Sequence, residues 1–427
     1  MPSKLTSLRV LEFRRVRPGT TIKFGPGLNA VVGQNGTGKT TLLALVSALV
    51  RNNFHQFINE SFGLAFTLVD GDIVLEGRLE NKGTSPDTLV LLFSGVLMRG
   101  DLAVRVESDA NESKFTCRGQ TYTGKSILPQ HGPKRHNLEI IHSIWLYLPK
   151  REAFFDLRHG SEGIAAEILR YPNYTCTRIH EGIETFDELF AQDTDHRDTA
   201  PNLGVTLVAH PDLAAIGQDA AFAGHHLADD VLRPQLDRQR KITDILTLDG
   251  AAPPLAQFIE LSQYVDARLI LSKTSATVQE NATRWVFANP LARFTTKSGN
   301  EFSHPQLSFG EKRLLAFLIK FHAYKHTIIA DELANGMHHS WLERMIELME
   351  DNGTQAFLTS QNPLLLDCLP YNRETFDSEH TLTVCELSDS GEMIWRNLDD
   401  IEREDLLRSL EVGLQHVSAI MRSKGLW

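Results

Sequence analysis

The sequence predicts an α/β fold organised around a phosphate-binding turn, and three separated segments predict it. They are Gly33-Gln34-Asn35-Gly36-Thr37-Gly38-Lys39-Thr40, Leu307-Ser308-Phe309-Gly310-Glu311 and Thr327-Ile328-Ile329-Ala330-Asp331-Glu332. The first fits G-x-x-x-x-G-K-[ST] in the context this motif requires. Leu28-Asn29-Ala30-Val31-Val32 reads as a short buried strand, and Thr41-Leu42-Leu43-Ala44-Leu45-Val46 opens a helix. Glycines at 33, 36 and 38 let the backbone turn tightly and aim successive N–H groups at phosphate oxygens. The first amides of the following helix face the same anion. On this reading residues Gly33 to Thr41 hold a nucleoside triphosphate. Lys39 reaches its β- and γ-phosphates, the Thr40 hydroxyl binds Mg²⁺, and Thr41 adds a phosphate contact.

The third segment is an apolar run ending in two carboxylates, as expected of a strand buried in a parallel sheet. Asp331 at its carboxyl end would hold Mg²⁺ through water, and Glu332 would orient or deprotonate the attacking water. An acid pair at a helix start is a common alternative. The phosphate loop is what favours the hydrolytic reading. In the second segment, Ser308 and Gly310 precede Glu311-Lys312-Arg313-Leu314-Leu315-Ala316-Phe317-Leu318-Ile319, whose spacing suits a largely buried helix. A serine hydroxyl and glycine amides at a helix start make a second anion site. If the two sites lie on opposite ends of one face, a single chain cannot bring both to one γ-phosphate. Two copies arranged head to tail can.

These segments, in this order, resemble the ABC-type ATPases, and among them the branch of RecF, the SMC and DNA-repair heads and the OLD-type ATPases. The opening Leu5-Thr6-Ser7-Leu8-Arg9-Val10-Leu11-Glu12-Phe13-Arg14 and Phe24-Gly25-Pro26-Gly27-Leu28-Asn29 resemble that branch's entry. Leu307-Ser308-Phe309-Gly310-Glu311-Lys312-Arg313 is similar to its LS-x-GE signature. The resemblance covers about residues 1–50 and 305–370. It implies an ATP hydrolase with ATP and Mg²⁺, closing as a homodimer around two ATP molecules. Thr359-Ser360-Gln361-Asn362-Pro363 matches the family's switch after the strand Gln355-Ala356-Phe357-Leu358, with Gln361 where most relatives carry histidine. Glutamine can hydrogen-bond a γ-phosphate but carries neither proton nor charge, so slower turnover is expected. Leu146-Tyr147-Leu148-Pro149-Lys150-Arg151-Glu152 resembles a segment of stand-alone ATPases from bacterial and phage-defence loci, with Glu152 one place late. Gly336-Met337-His338-His339-Ser340-Trp341 occupies the place of a loop that communicates across the dimer. Its histidine pair lacks further ligands at a metal-binding spacing, which favours an interface over a metal site.

Length and composition narrow the classes. The 427 residues are 42% hydrophobic and 23% charged, enough for a large core in one elaborated domain or two joined lobes. Cys117, Cys176, Cys368 and Cys385 are scattered without C-x-x-C spacing, which argues against a disulfide framework and against structural zinc and fits a reducing cytoplasm. The N-terminus lacks a signal pattern, and no apolar run approaches the ~20 residues that span a bilayer. A cytoplasmic protein with no membrane segment is expected. A net charge of −11 disfavours a DNA-coated protein. Arg14-Arg15-Val16-Arg17, Pro133-Lys134-Arg135-His136 and Arg233 with Arg238, Arg240 and Lys241 read better as solvated or ion-paired clusters. DNA binding stays open.

The expected organisation is an α/β, P-loop ABC-type head with an antiparallel β layer and a helical insertion lobe. Residues 1–158 form an N-terminal ATPase lobe, with strand-like runs continuing through Tyr122 and Ile140-Ile141-His142-Ser143-Ile144-Trp145-Leu146-Tyr147-Leu148 returning to the core. Residues 159–295 form a mainly helical insertion, including Ile164 to Leu169, Ile183 to Phe190 and Pro254 to Leu271, without a sustained heptad repeat. Residues 296–427 complete the ATPase, with a strand pair at Thr381–Leu387 and Met393–Trp395 and closing helices from Glu402. Asp193-Thr194-Asp195 resembles a nuclease acid pair, but its polar neighbours favour a loop. Any nuclease would come from another polypeptide. The expected role is an ATP-driven switch controlling a separate effector protein or acting on DNA, in phage defence or DNA maintenance. The alternatives are a low-turnover ATP-bound scaffold for an effector, and a transporter ATPase subunit, which the long gap between Lys39 and Ser308 disfavours.

Overall fold

Alternation of apolar and polar residues dominates the first third of the chain, and a period of two puts every second side chain on one sheet face. Leu102–Ser108 alternates buried and exposed without a break, and Ile73–Asn81 nearly does. The computed structural model describes residues 3–57, 59–83, 90–128, 144, 176–179, 182–191, 203–209, 221–224, 243–279, 282–323, 326–361, 364–412 and 419. They divide into two units, one of Met1–Arg178, His326–Leu333 and Ile346–Trp427, the other of Ile179–Lys325 and Ala334–Met345.

In chain order the first elements are β1 (Lys4–Phe13), β2 (Thr21–Lys23), β3 (Leu28–Gly33), α1 (Lys39–Val50), β4 (Phe62–Asp70), β5 (Ile73–Asn81), β6 (Leu91–Arg99), β7 (Leu102–Ser108), β8 (Glu112–Cys117), β9 (Gln120–Lys125) and β10 (Cys176–Ile179). Next come α2 (Glu184–Phe190), β11 (Val205–Ala209), β12 (Ala221–Gly224), β13 (Ile245–Leu248), α3 (Pro253–Leu261), β14 (Tyr264–Gln279), β15 (Ala282–Thr296), β16 (Glu301–Ser303) and α4 (Phe309–Ala323). The chain continues through β17 (Thr327–Ala330), α5 (His339–Asp351), β18 (Gln355–Thr359), α6 (Leu364–Asp367), β19 (Thr381–Leu387), β20 (Met393–Asn397) and α7 (Asp400–Val412).

The first unit holds two sheets. An eight-stranded sheet runs β2-β1-β4-β5-β6-β7-β8-β9, antiparallel throughout, as the alternating sequence predicts. The second is ordered β10-β17-β18-β3-β19-β20. Its central pairs β17–β18, β18–β3 and β3–β19 are parallel, and β20 closes it antiparallel. Its inner strands are buried along almost their whole length, which explains why they read as apolar runs instead of alternating. Leu42, Leu45, Val46 and Leu49 of α1 share one buried cluster with Leu8, Val10, Leu64 and Leu75 of the large sheet. Each such side chain contributes about 1.5–3 kcal/mol on burial.

In the second unit β12-β11-β15-β14-β13 form a five-stranded sheet, with β16 paired to β15. Here the element reading needs correction. The helix expected from Pro254 to Leu271 ends at Leu261, and β14 begins at Tyr264. The spacing of Leu255, Phe258 and Leu261 continues in apparent helical phase through Val265 and Leu269. Ser262, however, takes an extended conformation, and β14 pairs along its length with β15. That pairing, with Phe258, Tyr264 and Phe294 in mutual ring contact, overrides the local pattern. The described part of the expected helical insertion therefore combines the helices α2 and α3 with antiparallel strands. The helix expected at Ile164–Leu169 and the strand expected at Ile140–Leu148 lie outside the described residues, apart from Ile144.

The strand pair near the C-terminus forms as expected, and α7 starts two residues ahead of Glu402. Asp399 sets that start. Its carboxylate accepts from the Ile401 and Glu402 amides at 3.0 and 2.8 Å while Glu402 reaches back to the Asp399 amide at 2.9 Å, a reciprocal cap that satisfies orphan donors.

Candidate nucleotide site

The glycine-rich loop expected to bind phosphate lies where β3 ends and α1 begins. Gly33, Gly36 and Gly38 take φ of 145°, 86° and 91°, a region side chains disfavour. Gln34, Asn35, Gly36 and Thr40 are exposed, Thr41 and Gly38 are half-buried, and Thr37 and Lys39 are buried. The Lys39 ammonium donates to the carbonyls of Gly33 at 2.8 Å and Gln34 at 3.2 Å, so the loop closes on its own lysine. Thr37 Oγ1 donates to the Gln34 carbonyl at 2.7 Å and tightens the turn. No acid lies in the first turn of α1, and Gly38 offers no side-chain cap. The helix start thus presents amides and positive dipole to an anion.

The loop rests on β20. The Trp395 indole N–H donates to the Thr37 carbonyl at 3.2 Å, and a Cβ added to Gly38 would stand 2.4 Å from Met393 Sδ and 3.2 Å from Trp395 Nε1. In a trans peptide the C=O and the next N–H point in opposite directions. Holding the Thr37 carbonyl on Trp395 therefore turns the Gly38 N–H away from the sheet. Beneath Gly33, burial pushes the Cys385 thiol up despite the Lys39 ammonium, so this cysteine stays a neutral packing group.

Parallel pairing brings the acids to the same sheet edge. Register aligns Ile329 with Phe357 and Phe357 with Asn29, so Asp331 just after β17, Thr359 ending β18 and Gly33 ending β3 all lie at the carboxyl edge of the sheet. Asp331 and Glu332 are 4% and 5% exposed. Asp331 Oδ1 accepts from Thr359 Oγ1 at 2.6 Å, and the Glu332 N–H donates to that same hydroxyl at 2.9 Å. Glu332 sits at φ 51°, a left-handed conformation that costs a non-glycine residue about 1–2 kcal/mol. Its Oε2 accepts from the Gln361 amide at 2.5 Å, while Gln361 itself is exposed. Oxygen donors from a hydroxyl and a carboxylate, Thr40 and Asp331, have the hard-ligand chemistry that Mg²⁺ prefers.

The signature belongs to the second unit. The Ser308 N–H donates to Glu311 Oε2 at 2.8 Å, and the Glu311 N–H donates to Ser308 Oγ at 3.3 Å. This box starts α4. The cap uses a lone pair of the exposed Ser308 hydroxyl, so its proton remains free to donate elsewhere. Gly310 is required by packing. A Cβ there would meet the Gly336 carbonyl at 2.4 Å, and one on Gly336 would meet the Phe309 ring at 2.5 Å. Phe309, 44% exposed, thus covers the segment beginning at Gly336, and Trp341 anchors that segment through its indole N–H to the Leu261 carbonyl at 2.6 Å.

Sequence reasoning placed Thr359 in the switch, Trp395 in a strand and Gly336 in a loop, but missed their contacts with Asp331, Thr37 and Phe309, which depend on strand register and loop packing. Of the basic cluster, Arg14 pairs with Glu60 and Arg17 with Glu392. His339 faces Glu343 at 3.2 Å and His338 faces Ser340 at 2.9 Å. Residues Leu146 to Glu152, Asp193 to Asp195, Pro133 to His136, Arg233, Arg238, Arg240, Lys241, Asn362 and Pro363 lie outside the described residues.

No helix among the described residues is long and apolar enough to cross a membrane. Residues 132–367, more than half of the chain, match the family model "AAA domain, putative AbiEii toxin, Type IV TA system", and residues 7–73 match a second model, "AAA domain". A DNA replication and repair protein RecF of Teredinibacter turnerae is 32% identical over 116 residues, 26% of this chain and 27% of that protein. The match spans about a quarter of its length. Similar solved structures include an SMC head domain from Thermotoga maritima, with a TM-score of 0.36 and 11% identity over 93% of this chain and 99% of that one. An SMC head bound to the C-winged helix domain of ScpA gives a TM-score of 0.45 and 14% identity over the same shares. With a glycine-rich turn after β3 and an acid pair after β17, the parallel strands on either side of β18 in one sheet, the chain belongs to the AAA-domain family of the first model.

Proposed function

We propose that this protein binds and hydrolyses ATP and that two copies close around two ATP molecules, forming a switch that controls a separate effector protein or acts on DNA in phage defence or DNA maintenance. One observation carries the reading: the strand order β17-β18-β3, which delivers Asp331, Glu332 and the phosphate loop to one edge of one sheet. Lys39 exchanges its loop carbonyls for the β- and γ-phosphates. Residues Gly33 to Thr41 supply amides and hydroxyls around the phosphates. Thr40 and Asp331 would hold Mg²⁺, which neutralises charge developing on the phosphates. Glu332 orients the attacking water and takes its proton, and Gln361 contacts the γ-phosphate. From the second copy, the free proton of the Ser308 hydroxyl and the amides beside Gly310 cap that γ-phosphate. The RecF relative's name supports a DNA-related setting, and the ScpA-bound SMC head supports a protein partner.

A low-turnover scaffold is the second reading, favoured by Gln361 in place of histidine and by the hold of its amide on Glu332. Steady-state hydrolysis, and sedimentation of Glu332→Gln with ATP, separate the outcomes. A switch turns over measurably, and its Glu332→Gln variant accumulates as an ATP-dependent dimer. Background turnover with tight ATP binding selects the scaffold. A Glu332→Gln variant with full activity removes Glu332 from the chemistry.

A further inference from the structure

Resting on the proposed site, we infer that Thr359 is a positioning residue for both acids, setting the metal-binding geometry of Asp331 and the backbone conformation of Glu332 without touching the nucleotide. The hydroxyl is fully buried at the end of β18. It has one proton to give and lone pairs to receive. The proton goes to Asp331 Oδ1 at 2.6 Å and the Glu332 N–H comes in at 2.9 Å. The Thr359 carbonyl adds a third tie, accepting the Leu333 N–H at 3.0 Å. Three successive residues after β17 are thereby fastened to one residue of the neighbouring strand.

Two consequences follow from the geometry. Occupying Oδ1 fixes the Asp331 carboxylate plane, as hydrogen-bonded partners of metal-binding carboxylates do generally, and loss of such partners typically weakens metal binding or activity by about 10–100-fold. Accepting the Glu332 N–H stabilises its φ of 51°, a conformation that persists only where its surroundings determine it. The same strand end continues to Gln361, whose amide holds the Glu332 carboxylate. One short segment therefore orients Asp331 through a side chain, the Glu332 backbone through the same hydroxyl, and the Glu332 carboxylate through an amide.

The test uses Mn²⁺ as the probe, titrated by electron paramagnetic resonance into full-length protein carrying a non-hydrolysable ATP analogue. Thr359→Val keeps the shape and deletes the hydroxyl; Thr359→Ser keeps the hydroxyl. The expected result is Mn²⁺ binding about 10–100-fold weaker in Thr359→Val, restored in Thr359→Ser, with analogue affinity in EDTA unchanged in both. Thr359→Ala removes the same hydroxyl without the bulk and must weaken Mn²⁺ to a similar degree. Mn²⁺ affinity within twofold of wild type in Thr359→Val and Thr359→Ala, while Asp331→Ala binds Mn²⁺ weakly, overturns the inference and leaves the site intact. If Asp331→Ala also binds Mn²⁺ normally, the proposed metal site itself is wrong and the inference falls with it.

Discussion

Alanine placed separately at Gly33, Gly36 and Gly38 gives a graded prediction. At Gly36 a Cβ meets nothing within 4 Å, so only the φ of 86° opposes it; the left-handed penalty is about 1–2 kcal/mol. At Gly38 the φ of 91° adds a contact of 2.4 Å to Met393 Sδ. A flexible thioether can move aside, so the total rises to about 2–3 kcal/mol. At Gly33 the Cβ would fall 2.2 Å from the Cys385 carbonyl oxygen, backbone fixed by pairing between β3 and β19. Strain of about 1–3 kcal/mol and overpacking of about 1–3 kcal/mol then combine to roughly 2–6 kcal/mol. The assay is thermal unfolding of nucleotide-free protein, where each kcal/mol lowers Tm by about 2–4 °C in domains of 150–250 residues. Nucleotide-free protein is essential, because bound nucleotide stabilises the folded state by its own binding free energy and would mask the comparison. The expected order of Tm loss is Gly33→Ala, then Gly38→Ala, then Gly36→Ala. A Gly33→Ala protein as stable as Gly36→Ala would refute the loop geometry.

Trp395→Phe should weaken ATP binding roughly 2- to 10-fold, the loss of one modest hydrogen bond, with little change in kcat; an unchanged Kd by calorimetry would remove the indole from loop positioning. Stability should also fall on acidification. Burial lowers the pKa of His304 and of His380, against the pull of the nearby Glu379 in the second case and together with Lys312 in the first. The unfolded chain therefore takes up protons first, and stability present above the unfolded value of about 6.5 declines as pH drops through the lowered folded values. Burial and neighbouring acids raise the Glu350 pKa, which acts in the opposite sense near its own range. Urea midpoints at pH 7.5 and 5.5 should differ less in His380→Asn than in wild type. Equal differences would show that His380, whose Nδ1 accepts the Leu28 N–H at 3.1 Å, does not titrate as described.

Much of the candidate site's placement was legible because its pattern is local. A phosphate loop needs glycines, a lysine and a hydroxyl within eight residues, and a buried parallel strand ending in acids looks alike in any context. The place of Ser308 at a helix start was legible for the same reason, whereas its reciprocal cap with Glu311 emerged only from the structure. What stayed hidden is non-local. Thr359 read only as part of a switch until the register placed it beside Asp331, and Trp395 read as a strand residue until β20 came to lie beneath the loop. Gly310 read as an anion-binding glycine, yet its contact with the Gly336 carbonyl independently forbids a side chain. The start of β14 was misread over Tyr264 to Leu271 because apolar residues there satisfy a helical period; only pairing with β15, from Thr296 back to Leu291, decides for strand.

The proposed sharing of a nucleotide site between two copies is tested most directly by mixing Lys39→Ala protein with Ser308→Arg protein. Each alone should fail, one for want of phosphate binding and the other because arginine obstructs the cap. In a mixed pair one composite site combines the intact loop of the Ser308→Arg copy with the intact Ser308 of the Lys39→Ala copy. The account predicts that mixing restores ATP-dependent pairing and measurable hydrolysis. A mixture as inert as its components would contradict it.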